Sequence, residues 1–281
     1  MNDTGETAVR LGRISYLNVL PIYYPIESGN VRGPLSVVSA PPAELNLLAR
    51  AGKLDVSACS SFEYASAADD YFLVPDLAIG SRGHVRSVLL LSRLPVAKLD
   101  GKSVRVSYQT HTSVALLKLF LQQRVGVDVT YTTGDVTRAL ASGERPDAFL
   151  AIGDEAMRLS AHPDYPHRWD LGSVWLDWTA LPFIFGVWIA RRAAAAENPG
   201  PVREACRALV EAKDWSKARP ELVAELAAAQ GGFTVPDMRT YFEGLVYDFG
   251  EREKDGLSVF FEKLEGARII PKAPKLQFLE M

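Results

Sequence analysis

The sequence predicts a two-lobed α/β protein in which the chain builds a first lobe, crosses to a second and returns. Three observations carry this. Short apolar runs alternate with segments of helical period through residues 10–152. The alternation occurs twice, as two βαβαβ units joined by the linker Lys98-Leu99-Asp100-Gly101-Lys102. A long apolar segment at 181–190 then precedes a mostly helical remainder, which fits a strand returning to the first lobe. The expected boundaries are 1–94 for the first part of lobe 1, 95–185 for lobe 2 and 186–281 for the return to lobe 1 with the C-terminal helices.

The elements follow in order. Residues 10–16 read as the opening strand, with 11–14 as its apolar part and Pro21 as its stop. Pro41-Pro42 open a helix, because a first turn tolerates proline; Leu45, Leu48 and Ala49 give it an apolar face, and Gly52 ends it. A brief strand at 56–58 leads through Cys59-Ser60-Ser61 into a helix containing Phe62 and Tyr64, and a strand at 87–91 closes the first unit. In the second unit a strand at 104–107 runs into Gln109-Thr110-His111-Thr112-Ser113 and a helix on which Val114, Leu117, Phe120, Leu121 and Arg124 keep helical spacing. A strand at 127–131, a short helix through Val136, Ala139 and Leu140 ended by Gly143, and a strand at 148–152 before Gly153-Asp154 complete it. The returning strand is placed at 183–190, and helices at 201–212, 217–230, 236–245 and 248–264. The run 191–196, Arg-Arg followed by four alanines, reads as a solvated helix start or loop.

Composition narrows the function. The 281 residues are 48% hydrophobic, enough for a large core, and the net charge of −3 gives no electrostatic footprint for nucleic acid. Two cysteines, Cys59 and Cys206, provide neither a disulfide framework nor zinc spacing. The first residues are polar and acidic with no leader pattern, and no apolar run approaches a membrane span, so a cytoplasmic protein without membrane contact is expected. Cys59 lacks a placed histidine partner and reads as a small buried hydrophobe. Trp169, Trp175, Trp178 and Trp188 read as packing residues.

In a two-lobed α/β fold, ligands bind beyond the carboxyl ends of strands, where helix N-termini point. The residues at those places are alike: Ser15 and Asn18; Ser60 and Ser61; Thr110, Thr112 and Ser113; Gly153 and Asp154. Each alone fits a helix cap. Repeated at several strand ends of one chain, they fit a cleft for an anion, a carboxylate or phosphate held by hydroxyls, amides and helix N–H groups.

The segment Ile14-Ser15-Tyr16-Leu17-Asn18-Val19-Leu20-Pro21 resembles the opening signature of the chorismate dehydratases of the futalosine route to menaquinone. Cys59-Ser60-Ser61-Phe62-Glu63-Tyr64-Ala65, Gly83-His84-Val85-Arg86-Ser87-Val88-Leu89-Leu90, Ile152-Gly153-Asp154-Glu155-Ala156 and residues 178–185 are similar to further motifs of that family, in the same order. The resemblance spans about residue 10 to the helix at 256–264. Members often carry Gly where Ala180 stands and Pro where His84 stands, so loop geometry there is the point of departure.

The resemblance implies a type II periplasmic-binding-protein-like fold with a hinge. It also implies loss of water from chorismate, a small dicarboxylate, to give 3-[(1-carboxyvinyl)oxy]benzoate without a cofactor or metal, by a monomer or homodimer. It places catalytic roles on Asn18 and Ser87, and the strand-end residues Ser15, Tyr16, Ser60, Ser61, Thr110, His111, Thr112, Ser113, Gly153 and Asp154 become the expected substrate contacts. Arg82 and Arg86 are candidate helpers, although strand alternation turns Arg86 away if Ser87 faces the cleft. Glu63 fits a structural hydrogen bond in its helix. Proton removal from the ring spreads charge into the ring carboxylate, and fixed donors such as Asn18 and Ser87 would stabilise it. No motif pairs a base with an orienting group. His84, His162 and His167 fit structural or surface roles, His111 is the best placed of the four histidines, and Asp154 and Glu155 are possible bases. The substrate's own enolpyruvyl carboxylate is the favoured proton acceptor.

Two other readings stand beside this one. A non-catalytic binding protein for a small carboxylate would share the architecture, but the expected leader is missing. The 1,4-dihydroxy-6-naphthoate synthases of the same route share the fold, yet resemble this chain less at the first motif and carry a His near the strand end where Gly153-Asp154 stand.

Overall fold

The computed structural model describes residues 8–108 and 111–281. The chain begins with β1 (Val9–Arg13), α1 (Leu20–Glu27), β2 (Leu35–Ser39), α2 (Pro42–Arg50), β3 (Val56–Ser60), α3 (Ser61–Ser66) and β4 (Tyr71–Ser81). It continues through β5 (Val88–Ser92), β6 (Ser103–Val106), α4 (His111–Leu119), β7 (Thr130–Thr133), α5 (Val136–Ala141), β8 (Ala148–Ile152), α6 (Gly153–Leu159), β9 (His167–Asp170) and α7 (Leu171–Thr179). The last part is β10 (Phe183–Arg191), α8 (Arg192–Glu197), α9 (Pro199–Lys217), α10 (Pro220–Gly231), α11 (Val235–Glu243), β11 (Leu245–Val246) and α12 (Glu251–Gly266).

Two mixed sheets result. The first has the order β11-β4-β10-β3-β1-β2, with β1 parallel to β2 and β3, and β10 antiparallel between β3 and β4. The second has the order β7-β6-β8-β5-β9, with β6 parallel to β7 and β8, and β5 antiparallel to β8 and β9. Helices cover both, so central strands are apolar on both faces, as Val56, Ala58 and Cys59 of β3 illustrate. Helix α9 buries Val202, Ala205, Cys206, Leu209 and Ala212 at helical spacing and packs on α1. Trp188 lies in the first core and donates from Nε1 to the Tyr23 hydroxyl at 3.1 Å. Trp175 is buried edge-on against Phe183 and Phe260. Trp169 and Trp178 are partly buried against the same core.

Several expectations are corrected. The strand expected to close the first unit, β5, pairs with β8 and β9 in the second sheet, so the chain has crossed between lobes by Val88 rather than after residue 94. Pro21 does not stop the chain but sits in the first turn of α1, where its missing N–H costs nothing. Strands β2, β4 and β9 and helix α7 were not expected. Within β4, Asp76 adopts φ +55. The partner register jumps there from Val187↔Ala78 to Ile189↔Leu73, so residues 74–77 bulge while the strand resumes on either side. The run after Arg191, expected as a helix start or loop, begins a helix, α8. No helix among the described residues is long and apolar enough to cross a membrane.

Candidate active site

Between the lobes lies a cavity of about 110 Å³. Tyr16 and Asn18 enter it from the turn after β1, Cys59 and Ser60 from the end of β3, Ser87 from the crossing into β5, His111, Thr112 and Ser113 from the start of α4, and Gly153 from the end of β8. Helix starts therefore ring the space: α2 contributes Pro42, and α4 three residues. The first N–H groups of a helix have no intrahelical acceptor and carry the positive end of its dipole. The start of α4 therefore offers donors and positive potential without a cationic side chain, whereas Pro42 of α2 has no N–H to give. Among the described residues the lining contains no Asp, Glu, Lys or Arg.

Ser87 is almost fully buried. Its Oγ accepts a hydrogen bond from the Tyr241 hydroxyl at 3.1 Å, and its own hydrogen faces only the Val85 carbonyl at a long 3.3 Å. The residue before it is held in an unusual conformation, with Arg86 at φ +63. One carboxylate holds that kink: Asp170 accepts from the amides of Val85 at 3.1 Å and Arg86 at 2.7 Å, and caps α7 through Gly172 and Ser173. The Arg86 side chain is exposed, as alternation predicts.

Asn18 is anchored by its backbone. Its carbonyl accepts from the Tyr247 hydroxyl at 2.7 Å, while its side-chain Oδ1 is buried with no partner among the described residues. At a cavity wall, this buried amide oxygen is free to accept from a ligand, since buried polar groups are otherwise satisfied. Gly153 is at φ +57, and a Cβ there would stand 3.2 Å from the Tyr16 ring. Its N–H donates to the Ser87 carbonyl at 2.7 Å, which ties β8 to the crossing.

Thr112, also buried, accepts from the Phe62 amide at 2.9 Å across the cleft, so the lobes are in contact and the Thr112 hydroxyl hydrogen remains available. Ser60 caps α3 through the Glu63 amide at 3.2 Å and still lines the cavity. Ser113 lines it as well, and His111 stands at the rim, edge-on to Phe62.

The remaining expected site residues are elsewhere. Ser15 is exposed in a neighbouring groove. Asp154 opens onto the same groove, where burial pushes its carboxyl up against the opposing pull of the Leu17 amide and of Arg158. Ser61 is buried and spends its hydroxyl on the Ile184 carbonyl at 2.6 Å. Thr110 lies outside the described residues. Arg82 pairs with Glu253 at 3.0 Å, and Glu63 with Arg50 at 2.8 Å. Burial pushes the Cys59 thiol well above its usual range, which leaves it an inert wall. His84 is exposed beside Asp170, and His162 packs on Tyr165 away from the cavity. Tyr241 and Tyr247 escaped the sequence reading, which saw only helical periodicity around them.

A family model described as menaquinone biosynthesis matches residues 9–266. The chain belongs to the menaquinone biosynthesis family. Within that family it is 33% identical over 269 residues to the chorismate dehydratase of Thermus thermophilus, covering 90% of this chain and 94% of the relative. It is 27% identical over 281 residues to the 1,4-dihydroxy-6-naphtoate synthase of the same organism, covering 97% and 99%. Among solved structures, a Candida albicans protein described as having the generic periplasmic binding protein fold superposes with a TM-score of 0.71 at 11% identity, covering 98% of each chain. The fold expected of the family is thus the fold found.

Proposed function

We propose that this member of the menaquinone biosynthesis family removes water from chorismate to give 3-[(1-carboxyvinyl)oxy]benzoate. The observation that carries the reading is the pairing in one cavity of the Asn18 side chain and the buried Ser87 hydroxyl, in a wall without charged side chains among the described residues. Asn18 Oδ1 has no protein partner among the described residues, and Nδ2 is the donor. The start of α4, with Ser60, Thr112 and Ser113, holds the two carboxylates of the substrate.

The chemistry follows from what such a wall can do. The ring C–H beside the enolpyruvyl ether is vinylogous to the ring carboxylate, so its electron pair moves into that carboxylate as the proton leaves. Donors fixed on the developing charge stabilise it most when they need not reorganise, and Asn18 and Ser87 fill that role. With no carboxylate side chain in the described lining, the enolpyruvyl carboxylate of the substrate takes the proton. The electron pair then returns to expel the neighbouring hydroxyl, which leaves as water with that same proton, and the ring becomes aromatic. The substrate carboxylate ends as it began.

Incubation of the purified protein with chorismate, followed by mass spectrometry, tests the activity. Loss of one water with a rise in aromatic absorbance is expected. Unchanged chorismate with thermal stabilisation of the protein would instead indicate a binding protein, and neither effect would favour the naphthoate synthase reading. A chorismate analogue lacking the enolpyruvyl carboxylate should bind without turning over; turnover at the normal rate would refute the proton acceptor.

A further inference from the structure

The segment 241–247 touches both proposed donors. Tyr241, from the end of α11, reaches Ser87 Oγ, and Tyr247, just beyond β11, reaches the Asn18 carbonyl. These partners lie 154 and 229 positions away in the chain, so the contacts are made by the fold and not by local sequence. The segment itself has little freedom. Strand β11 pairs with β4 through Leu245↔Ser81 and Val246↔Gly80, immediately before the crossing that carries Ser87. At Gly244 a Cβ would stand 2.7 Å from the His84 carbonyl, so the backbone lies directly on that crossing. Tyr241 is fully enclosed, with 1% of its surface exposed.

We propose that Tyr241 and Tyr247 are positioning residues: they fix Ser87 and Asn18 relative to each other, and Tyr241 also sets which way the Ser87 hydroxyl points. A serine hydroxyl has one hydrogen to give. Because Tyr241 donates into Ser87 Oγ, that hydrogen cannot be directed at Tyr241. Its protein acceptor is the Val85 carbonyl at a stretched 3.3 Å, a bond easily exchanged for one to substrate oxygen. Without the Tyr241 hydroxyl, Ser87 rotates freely among poses, and fewer of them face the substrate. Tyr247 acts on the other donor through the main chain. It holds the Asn18 backbone while leaving the side-chain amide for the ligand. Burial pushes both phenols up, so neither ionises in the working pH range.

The inference rests on the dehydration reading, and a double-mutant cycle separates the two. Wild type, Tyr241→Phe, Ser87→Ala and the double variant are assayed on chorismate, with the melting temperature of each recorded. The phenylalanine keeps the buried ring. Expected for Tyr241→Phe is a fall in kcat of about 10-fold with KM within about threefold of wild type. In the Ser87→Ala background the same substitution should cost less than about twofold, since its target is gone. An equal loss in both backgrounds, or a kcat for Tyr241→Phe equal to wild type, overturns the inference while leaving the activity standing. If Tyr241→Phe does not fold, Tyr247→Phe carries the test: its kcat should fall several-fold with KM within about threefold of wild type, and a wild-type kcat overturns the inference. No turnover by the wild type overturns the activity, and the positioning role falls with it.

Discussion

Replacing Asn18 by alanine deletes one amide and little else, which makes it the sharpest test of the site. The residue is held through its main-chain carbonyl by Tyr247, and that bond survives the substitution. Its side-chain oxygen has no protein partner among the described residues, so no buried group is stranded by its removal. The folded state should therefore lose little, within about 0.5 kcal/mol. The loss falls on the transition state. A preorganised donor aimed at developing charge is worth roughly 3–4 kcal/mol, or about 100- to 1000-fold in kcat. Binding should weaken far less, because the ground-state carboxylate is held mainly by the start of α4. The assay is steady-state turnover of chorismate by aromatic absorbance, with affinity measured separately by calorimetry on the inactive variant. Equal losses in rate and affinity would make Asn18 a plain ligand contact, and a kcat within about threefold of wild type would refute the donor role.

Other outcomes follow from single features. Thr112→Ala strands the Phe62 amide and removes a hydroxyl from the cleft, so substrate Kd should rise by about 10-fold or more with a smaller change in kcat; unchanged affinity in calorimetry would remove Thr112 from the anion site. Ala180 closes α7 at φ +58, a conformation that costs a non-glycine residue roughly 1 kcal/mol, so Ala180→Gly should raise the melting temperature by about 1–2 °C after the entropy of the added glycine is subtracted. A lower melting temperature would contradict that account. For Asp55, burial works to raise the carboxyl, but hydrogen bonds from Arg10 and the charges of Arg10 and Arg191 outweigh it and hold the group below its ordinary range. A depressed folded pKa means that its contribution is complete above about pH 4 and is lost as pH falls through the folded value. Asp55→Asn should therefore flatten the fall in melting temperature below about pH 4; an unchanged slope would exclude the pair as a source of acid sensitivity.

The sequence was most legible where chemistry and secondary structure coincide. Asn18, Ser60, Ser87, Thr112, Ser113 and Gly153 all follow or begin an element whose pattern is local, and all reach one cavity. Ser15 and Ser61 belong to the same motifs but turn the other way, because neighbouring residues at a strand end face opposite sides and nothing in composition says which side is the cleft. The sheet to which β5 belongs was not legible for a similar reason: an apolar run announces a strand and is silent about its partner. Tyr241 and Tyr247 were beyond reach, since a buried tyrosine is ordinary core until its hydroxyl is seen to meet a particular neighbour.

The contact between the lobes sets the balance between closed and open forms. The described polar links across it include Phe62 N to Thr112, the Leu17 amide to Asp154, and Arg158 Nη2 to the Gly231 carbonyl at 2.7 Å. At about 1 kcal/mol net for each, such a latch is shallow, in the range where a minor open form is populated to a few per cent or less. Losing any one link should therefore raise the open population roughly fivefold.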